Sequence, residues 1–393
     1  MCLDKLSTNM ELLDEGIVPE ASREVKREAR AFAAEHITPN AADYFERGAY
    51  PEDIVQEAMD AGLIAPSIST EYGGRGFTTA DQLALAEEFY RADAGIALSL
   101  QLPGFGTSIL EEYGTEAQKE DFLRPVGENE MISGLGVSEP DTGSDMAGMS
   151  TTADNDGDEW VLNGEKYWVG NGVEADWLTI YAKTGDDPDN RYGNYSLFIV
   201  PTDAPGYEAE HIPEKMCYRA SKQAHITFEN CRIPEDHLIG PEGAGFYMLA
   251  EFFNHGRAVV AGHGLGLAAA AIEEASAFVH DREAFGRNIN EFQSVQHDLA
   301  DMRLAFESAR ALTWQAVERV ENGDNPGYWA ALAKTAATEA ATTCAETGMQ
   351  LYGGRSVLEE NRISRIYRDV RVPVIYEGAN PIQRNLIYRQ APR

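Results

Sequence analysis

A chain of 393 residues, 43% of them hydrophobic, has the means to bury a large core, which excludes wholesale disorder and predicts two or three domains. Acidic residues outnumber basic ones 65 to 32, for a net charge of −33, and only 8 of the basic residues are Lys; such a surface repels nucleic acid and anionic membranes. The carboxylates are spread over nearly every surface-like segment instead of standing in blocks, which favours adaptation to a high-salt cytoplasm, where ions screen the self-repulsion, over a cationic partner.

Met1-Cys2-Leu3-Asp4 lacks a basic segment and an apolar core, so no secretory signal is visible. The four Cys, at 2, 217, 231 and 344, form no C-x-x-C pair and no metal-ligand spacing, and fit a reduced cytoplasm. After an acidic tail, Pro19-Glu20-Ala21 opens a helix through about His36, and further helical patterns run near 51–62, 79–93 and 115–124. Residues 1–131 thus read as an N-terminal helical domain without an acid, base or metal cluster. Its stretch Leu98 to Phe105, where Gln101 and Gly104 sit among apolar residues, offers one wall of a ligand pocket.

From 132 to 238 the pattern changes to short runs rich in β-branched and aromatic residues: Glu159 to Val169 around a turn-like Asn163-Gly164, Trp177 to Lys183, Tyr195 to Pro201, and Ala224 to Cys231. These predict an antiparallel sheet or barrel. Asp154-Asn155-Asp156-Gly157-Asp158 has its Gly at the wrong position for a calcium loop and lacks the following Glu, so it reads as a turn. Residues 239–393 return to helix, near 246–281, 291–321, 327–350 and 381–389. Small residues at Gly262, Gly264, Gly266 and Ala268 to Ala271 let helices approach closely, as a four-helix bundle requires. Ala258 to Ile272 is shorter than the roughly 20 residues of a membrane span and holds His263, so a buried helix is expected and no membrane insertion. The fold class is α+β: helices, then sheet, then helices.

Two stretches carry chemistry. Near the C-terminus, Ile375-Tyr376-Glu377-Gly378-Ala379-Asn380-Pro381 places one carboxylate between an apolar run and a turn. Desolvation raises a carboxyl pKa, which makes Glu377 a candidate base near neutral pH, and the Gly378 N–H can approach a substrate carbonyl closely. One base and one donor on adjacent residues suit proton abstraction next to a carbonyl. At the helix-to-sheet transition, Leu135-Gly136-Val137-Ser138-Glu139-Pro140-Asp141-Thr142-Gly143-Ser144-Asp145 gathers hydroxyls and backbone N–H groups able to hold a polar heterocycle or a phosphate.

Taken together, and in order, these segments resemble the acyl-CoA dehydrogenase family from about residue 20 to 389. Besides Ser138 to Asp145 and Ile375 to Gly378, the likeness runs through Leu162-Asn163-Gly164-Glu165-Lys166-Tyr167-Trp168, Ile226 to Asn230, and Gly243 to Phe246. It continues through Arg282-Glu283-Ala284-Phe285-Gly286-Arg287, Gln293 to Gln296, and Gln350-Leu351-Tyr352-Gly353-Gly354. The resemblance implies an FAD enzyme with the family's N-terminal helical domain, middle β domain and C-terminal four-helix bundle. It would oxidise the Cα–Cβ bond of an acyl-CoA to a trans-2-enoyl-CoA and pass electrons to an electron-transfer flavoprotein.

Carried over by position, Glu377 removes the α-proton while a hydride leaves Cβ for flavin N5, and the Gly378 N–H polarises the thioester carbonyl. Leu135, Val137, Ser138, Gly143 and Ser144 line the flavin, Trp168 covers its ring, and the backbone at Val169 and Gly170 sits near N5. Arg282, Phe285 and Gln293, with Gln350, Gly353 and Gly354, hold the pyrophosphate and adenosine across a subunit boundary, implying at least a dimer and commonly a tetramer. Ser144 and Arg257 touch the CoA portion or order its surroundings, and Asn254 bears on substrate choice or is simply a helix edge. Ala379 and Pro381 occupy cofactor-contact positions where the family often has Thr and a polar residue, and Gly170 replaces a usual Thr. In a subset of the family the base instead precedes the helix arginine; that position is Gly256 here, which leaves Glu377 as the matched candidate. An oxidase or monooxygenase on the same fold, and a non-catalytic acyl-CoA binding protein, are the alternative readings.

Overall fold

The computed structural model describes residue 14 and residues 16–392, so the expected acidic tail and Cys2 lie outside the described residues. The N-terminal third is helical: α1 (Glu20–Phe32), α2 (Ala41–Arg47), α3 (Glu52–Asp60), α4 (Thr79–Ala92), α5 (Ala94–Gln101) and α6 (Thr107–Tyr113). α1 buries Ser22, Val25, Lys26, Ala29 and Phe32, the spacing of one face of a helix. α4 opens on a capping box, Thr78 accepting from the Asp81 N–H while Asp81 accepts from the Thr78 N–H, and is buried along nearly its whole length. It needs that apolar girth because it lies between α1 and the helices of the C-terminal third.

That third is built on α7 (Gly245–Asp281), α8 (Gln293–Glu321), α9 (Pro326–Tyr352), α10 (Arg362–Asp369) and α11 (Asn380–Gln390). α7, α8, α9 and α11 make the expected four-helix arrangement. By length and composition α7 would span a membrane, but 83% of its most apolar window is buried inside the protein. Its small residues do what the sequence predicts: a Cβ on Gly266 would lie 2.5 Å from the Glu87 carbonyl oxygen of α4, and one on Gly264 would lie 2.6 Å from the Ala337 backbone of α9. α4, α7 and α9 therefore approach backbone to backbone.

An eight-stranded sheet joins the two helical parts, in the order β6-β7-β3-β2-β4-β5-β8 with β1 beside β4. The strands are β1 (Ser133–Gly136), β2 (Thr152–Asn155), β3 (Glu159–Gly170), β4 (Trp177–Lys183), β5 (Tyr195–Pro201), β6 (Tyr207–His211), β7 (Gln223–Pro234) and β8 (Leu238–Ile239). β4 and β5 are buried on both faces. Trp177 and Tyr181 enter the helical core, while Leu178, Ile180 and Ala182 enter a separate core with Trp160, Phe198 and Phe228.

The sheet is antiparallel in most of its pairings, as expected, with β1 and β2 running parallel to β4. Asn163-Gly164 does not turn the chain: β3 continues straight through it to Gly170 with a shift of register. The Asn163 Oδ1 accepts from the Asn230 N–H at 2.9 Å, and a Cβ on Gly164 would strike Thr151 at 2.7 Å, so the pair makes a bulge where two strands crowd.

Candidate active site

Glu377 sits between α10 and α11 in a turn that forces its backbone into the left-handed region, φ 54°, followed by Gly378 at 85°. The cost of that conformation for a non-glycine residue is met by clamps on both sides. Ahead of it, the Tyr376 hydroxyl is hydrogen bonded to His263 Nδ1 of α7. Behind it, Gln383 Nε2 donates to the Gly378 carbonyl at 2.9 Å and Lys334 Nζ of α9 donates to the same oxygen at 3.0 Å. Gly378 is required twice, by its φ and because a Cβ would lie 2.2 Å from Gln383 Nε2.

The carboxylate turns onto α7 at Gly256, where an added Cβ would meet Oε2 at 3.2 Å, and that oxygen is buried with no hydrogen-bond partner among the described residues. Burial pushes the Glu377 carboxyl up to about 7, against the pull of Arg257 and Lys334. Arg257 Nε donates to the Glu377 carbonyl at 3.3 Å, helped by Gln383 Nε2 at 3.4 Å, and Arg257 Nη1 reaches Asn254 Oδ1 at 3.3 Å. Because a trans peptide is planar, holding that carbonyl fixes the opposite direction of the Gly378 N–H, which has no partner among the described residues. Base, donor, Arg257 and Asn254 are thus brought to one place.

The second stretch is pinned by Glu139. Its carboxylate accepts from Lys166 Nζ at 2.9 Å, from the Ser150 N–H and hydroxyl at 2.7 and 2.8 Å, and from the Thr151 N–H at 2.9 Å. Despite burial, Lys166 and these donors hold the Glu139 carboxyl down at about 2. Lys166 also donates to the Val137 carbonyl at 3.1 Å, and the Tyr167 N–H to the Ser138 carbonyl at 2.8 Å, which lays Leu135, Val137 and Ser138 beside Trp168, Val169 and Gly170. Beyond the Pro140-Asp141 turn, Gly143 and Ser144 are exposed, and Arg191 grips Asp145 through both carboxylate oxygens at 2.7 and 2.8 Å.

Three models of the acyl-CoA dehydrogenases match in order: the N-terminal domain over residues 19–130, the middle domain over 134–231 and the C-terminal domain over 243–391. The chain belongs to the acyl-CoA dehydrogenase family. It is 35% identical over 372 residues to the mitochondrial short-chain specific acyl-CoA dehydrogenase of Rattus norvegicus, covering 94% of this chain and 90% of the relative. The butyryl-CoA dehydrogenase of Megasphaera elsdenii superposes with a TM-score of 0.90 at 29% identity, over 95% of this chain and 99% of that one. A glutaryl-CoA dehydrogenase from Mycobacterium smegmatis, in complex with FADH2, gives 0.89 at 27% identity over 96% of each. The enzyme is an oxidoreductase, and its reaction is acyl-CoA dehydrogenation.

The dehydrogenase's remaining candidate residues fall into a second place. Arg282 ends α7, Phe285 projects 96% exposed from the hairpin of β9 (Glu283–Ala284) and β10 (Arg287–Asn288), and Gln293 opens α8. Gln350, Gly353 and Gly354 are exposed at the end of α9, where Gln350 and Gly353 line a cleft with Glu346, Met349, Ser356 and Tyr367. Arg282 stands 25 residues along α7 from Arg257, a rise of about 38 Å, so one subunit does not bring Arg282 to Glu377.

The departures from the family pattern have physical counterparts. At Gly170 an added Cβ would collide with Leu102 at 2.5 Å, so the Leu102 side chain fills the room a larger residue would take. Pro381 lies in the first turn of α11, where the missing N–H costs nothing, and Ala379 serves as its N-cap. A flat cofactor fits this arrangement: Trp168, at φ 65° and 57% exposed, stands open next to Tyr167, whose N–H holds Ser138. Sequence reasoning missed Lys334, Gln383 and His263, and took in Leu102 only as part of the Leu98 to Phe105 wall. Lys334 left a signal, as a single charge inside the Ala-rich run Ala330 to Ala337.

Proposed function

We propose that this acyl-CoA dehydrogenase is FAD-dependent and converts an acyl-CoA thioester to the trans-2-enoyl-CoA, with Glu377 as the base. The carrying observation is the buried Glu377 Oε2, unpartnered and with its carboxyl at about 7, beside a Gly378 N–H whose direction is fixed from behind. Bound FAD supplies an acceptor for the hydride that leaves Cβ. The protein's part is the other half: Glu377 takes the α-proton, and the Gly378 N–H stabilises the negative charge that gathers on the thioester oxygen. Leu135, Val137, Ser138, Gly143, Ser144, Trp168, Val169, Gly170, Ala379 and Pro381 would hold the flavin end. Arg282, Phe285, Gln293, Gln350, Gly353 and Gly354 would hold the phosphate and adenosine end from a neighbouring subunit, a reading supported by the long separation along α7. Ser144, Asn254 and Arg257 would meet the CoA thioester. The reading further comprises a homotetramer in a salty cytoplasm that hands electrons to an electron-transfer flavoprotein.

The test is anaerobic mixing in molar salt with straight, branched and dicarboxylic acyl-CoAs, butyryl-CoA first because short-chain and butyryl-CoA enzymes are among the relatives. Bleaching of the oxidised flavin band by one thioester is expected. Glu377→Gln should keep flavin and thioester binding and lower turnover by roughly three orders of magnitude. Near-normal turnover would remove Glu377 from the mechanism.

A further inference from the structure

Behind the Glu377 turn stands a cation to which the reaction above gives no task. Lys334 is fully buried in α9, with an ammonium that donates to the Gly378 carbonyl at 3.0 Å and to Asn380 Oδ1 at 2.8 Å. Both acceptors are neutral, and among the described residues no carboxylate pairs with it directly. A buried ammonium in that position loses its proton unless a negative charge lies nearby. Burial draws Lys334 down to about 7, and the charge that most opposes the loss is Glu377, whose own carboxyl is drawn up into the same range.

The other groups around the pair do not take over this duty. From α7, Arg257 faces Glu377, and His263 is held neutral by burial and by the Lys334 charge. The Tyr90 hydroxyl of α4 and the Tyr376 hydroxyl of the turn are kept protonated, chiefly by burial. On α9 itself, Glu339 is engaged by Arg384. Asn380 is oriented through its Nδ2, which donates to Thr338 Oγ1 at 3.0 Å and to Glu339 Oε1 at 3.4 Å.

We propose that Lys334 is a positioning residue for the dehydrogenation: it anchors the Gly378 carbonyl and, as the ammonium, places a positive charge behind the path along which negative charge moves from Glu377 to the substrate. At rest the carboxylate and the ammonium balance. When Glu377 takes the α-proton, the electron pair of the Cα–H bond stays on the thioester as an enolate. The negative charge is then displaced across the turn without being lost, so the Lys334 ammonium faces a negative charge in both states. Without that charge the carboxylate holds its proton to higher pH, and the enolate forms opposite an uncompensated site.

The inference rests on Glu377 being the base, so the first readout needs neither substrate nor turnover. In the full-length protein carrying 13C-labelled glutamate carboxyls, the Glu377 resonance is identified by its absence in Glu377→Gln and titrated. Lys334→Gln, which keeps a hydrogen-bonding group, and Lys334→Met should each raise the Glu377 midpoint by about one pH unit, and Lys334→Arg should return it most of the way. The low-pH limb of dehydrogenation should move up by the same amount in Lys334→Gln. A purely structural lysine would lower stability and leave both midpoints in place. Wild-type titration of Glu377 in a folded Lys334→Gln overturns the proposal, whereas normal turnover of Glu377→Gln overturns only the assignment of the base.

Discussion

Glu377 combines three conditions that a surface glutamate never meets together: left-handed backbone, a buried oxygen without a donor, and two cations close enough to act but not to neutralise it. The pH dependence follows with a definite sign. Only the ionised form accepts a proton, so turnover should rise as pH increases toward about 7, and loss of the Lys334 proton in the same range should limit the gain above it. A profile flat from pH 5.5 to 8.5 would contradict this, provided that chemistry limits the rate. Gly378 is equally committed. Gly378→Ala would meet Gln383 Nε2 and demand a φ of 85°, so a loss of about 1 to 2 kcal/mol in stability and a much larger loss in turnover are expected, read by thermal melts and kinetics. At this scale the sequence was legible where a carboxylate, a glycine and a turn stand next to one another. It was silent where the partner comes from elsewhere: Lys334 lies 43 positions before Glu377, and nothing in an alanine-rich helix says which neighbour its charge will face.

Among the elements, the loop after β1 depends on a single buried pair. Removing the Glu139 charge strands the Lys166 ammonium, which is 0% exposed, inside the sheet, so Glu139→Gln should cost about 3 to 5 kcal/mol and loosen Leu135 to Ser144. The Glu139 carboxyl lies below its ordinary value when folded. Its contribution is therefore present above the unfolded carboxyl pKa and lost as pH falls from there toward about 2. Acid titration of thermal stability should show this component in the wild type and not in the variant. The same elements explain what local pattern can and cannot convey. β7 alternates buried and exposed positions and β5 is a continuous apolar run, and both are readable. β1, Ser133-Gly134-Leu135-Gly136, has two glycines and no β-branched residue; it is a strand only because β4 supplies its ladder. Asn163-Gly164 sends a hairpin signal that the tertiary structure spends on a bulge against Thr151 and Asn230. Helix α10 was hidden for another reason: only Ile363 and Ile366 of its eight residues enter the apolar core, and they stand among Ser364, Arg365 and Asp369, which are buried too, while Arg362 donates to the Arg91 and Ala92 carbonyls.

The molecule as a whole carries two kinds of charge that salt should separate. Inside, Asp14, Glu87, Glu88 and Glu273 meet Lys26, Arg30, Arg91 and Arg310, tying α1, α4, α7 and α8 together. Lys26→Met leaves buried carboxylates short of a partner and should cost about 3 to 5 kcal/mol with little dependence on ionic strength. Outside, the excess of −33 is unscreened in dilute buffer, where the Debye length is about 10 Å at 0.1 M, and screened at 1 M, where it is about 3 Å. The melting temperature of the wild type should therefore climb steadily with KCl; a salt-independent value would end the halophilic reading. The contact of Leu102 with Gly170, where a helical segment leans on the end of β3, has a different kind of consequence. A larger residue at 170 needs room that Leu102 now takes, whereas a smaller residue at 102 needs nothing from Gly170, so the order of change matters. Gly170→Thr introduced first meets the Leu102 methyls and obliges that side chain to move, while Leu102→Ala introduced first opens the way. A lineage crossing between this pair and a Thr-bearing one would meet less resistance if position 102 shrinks first, and a sequence grafted from a relative one position at a time would feel the same order.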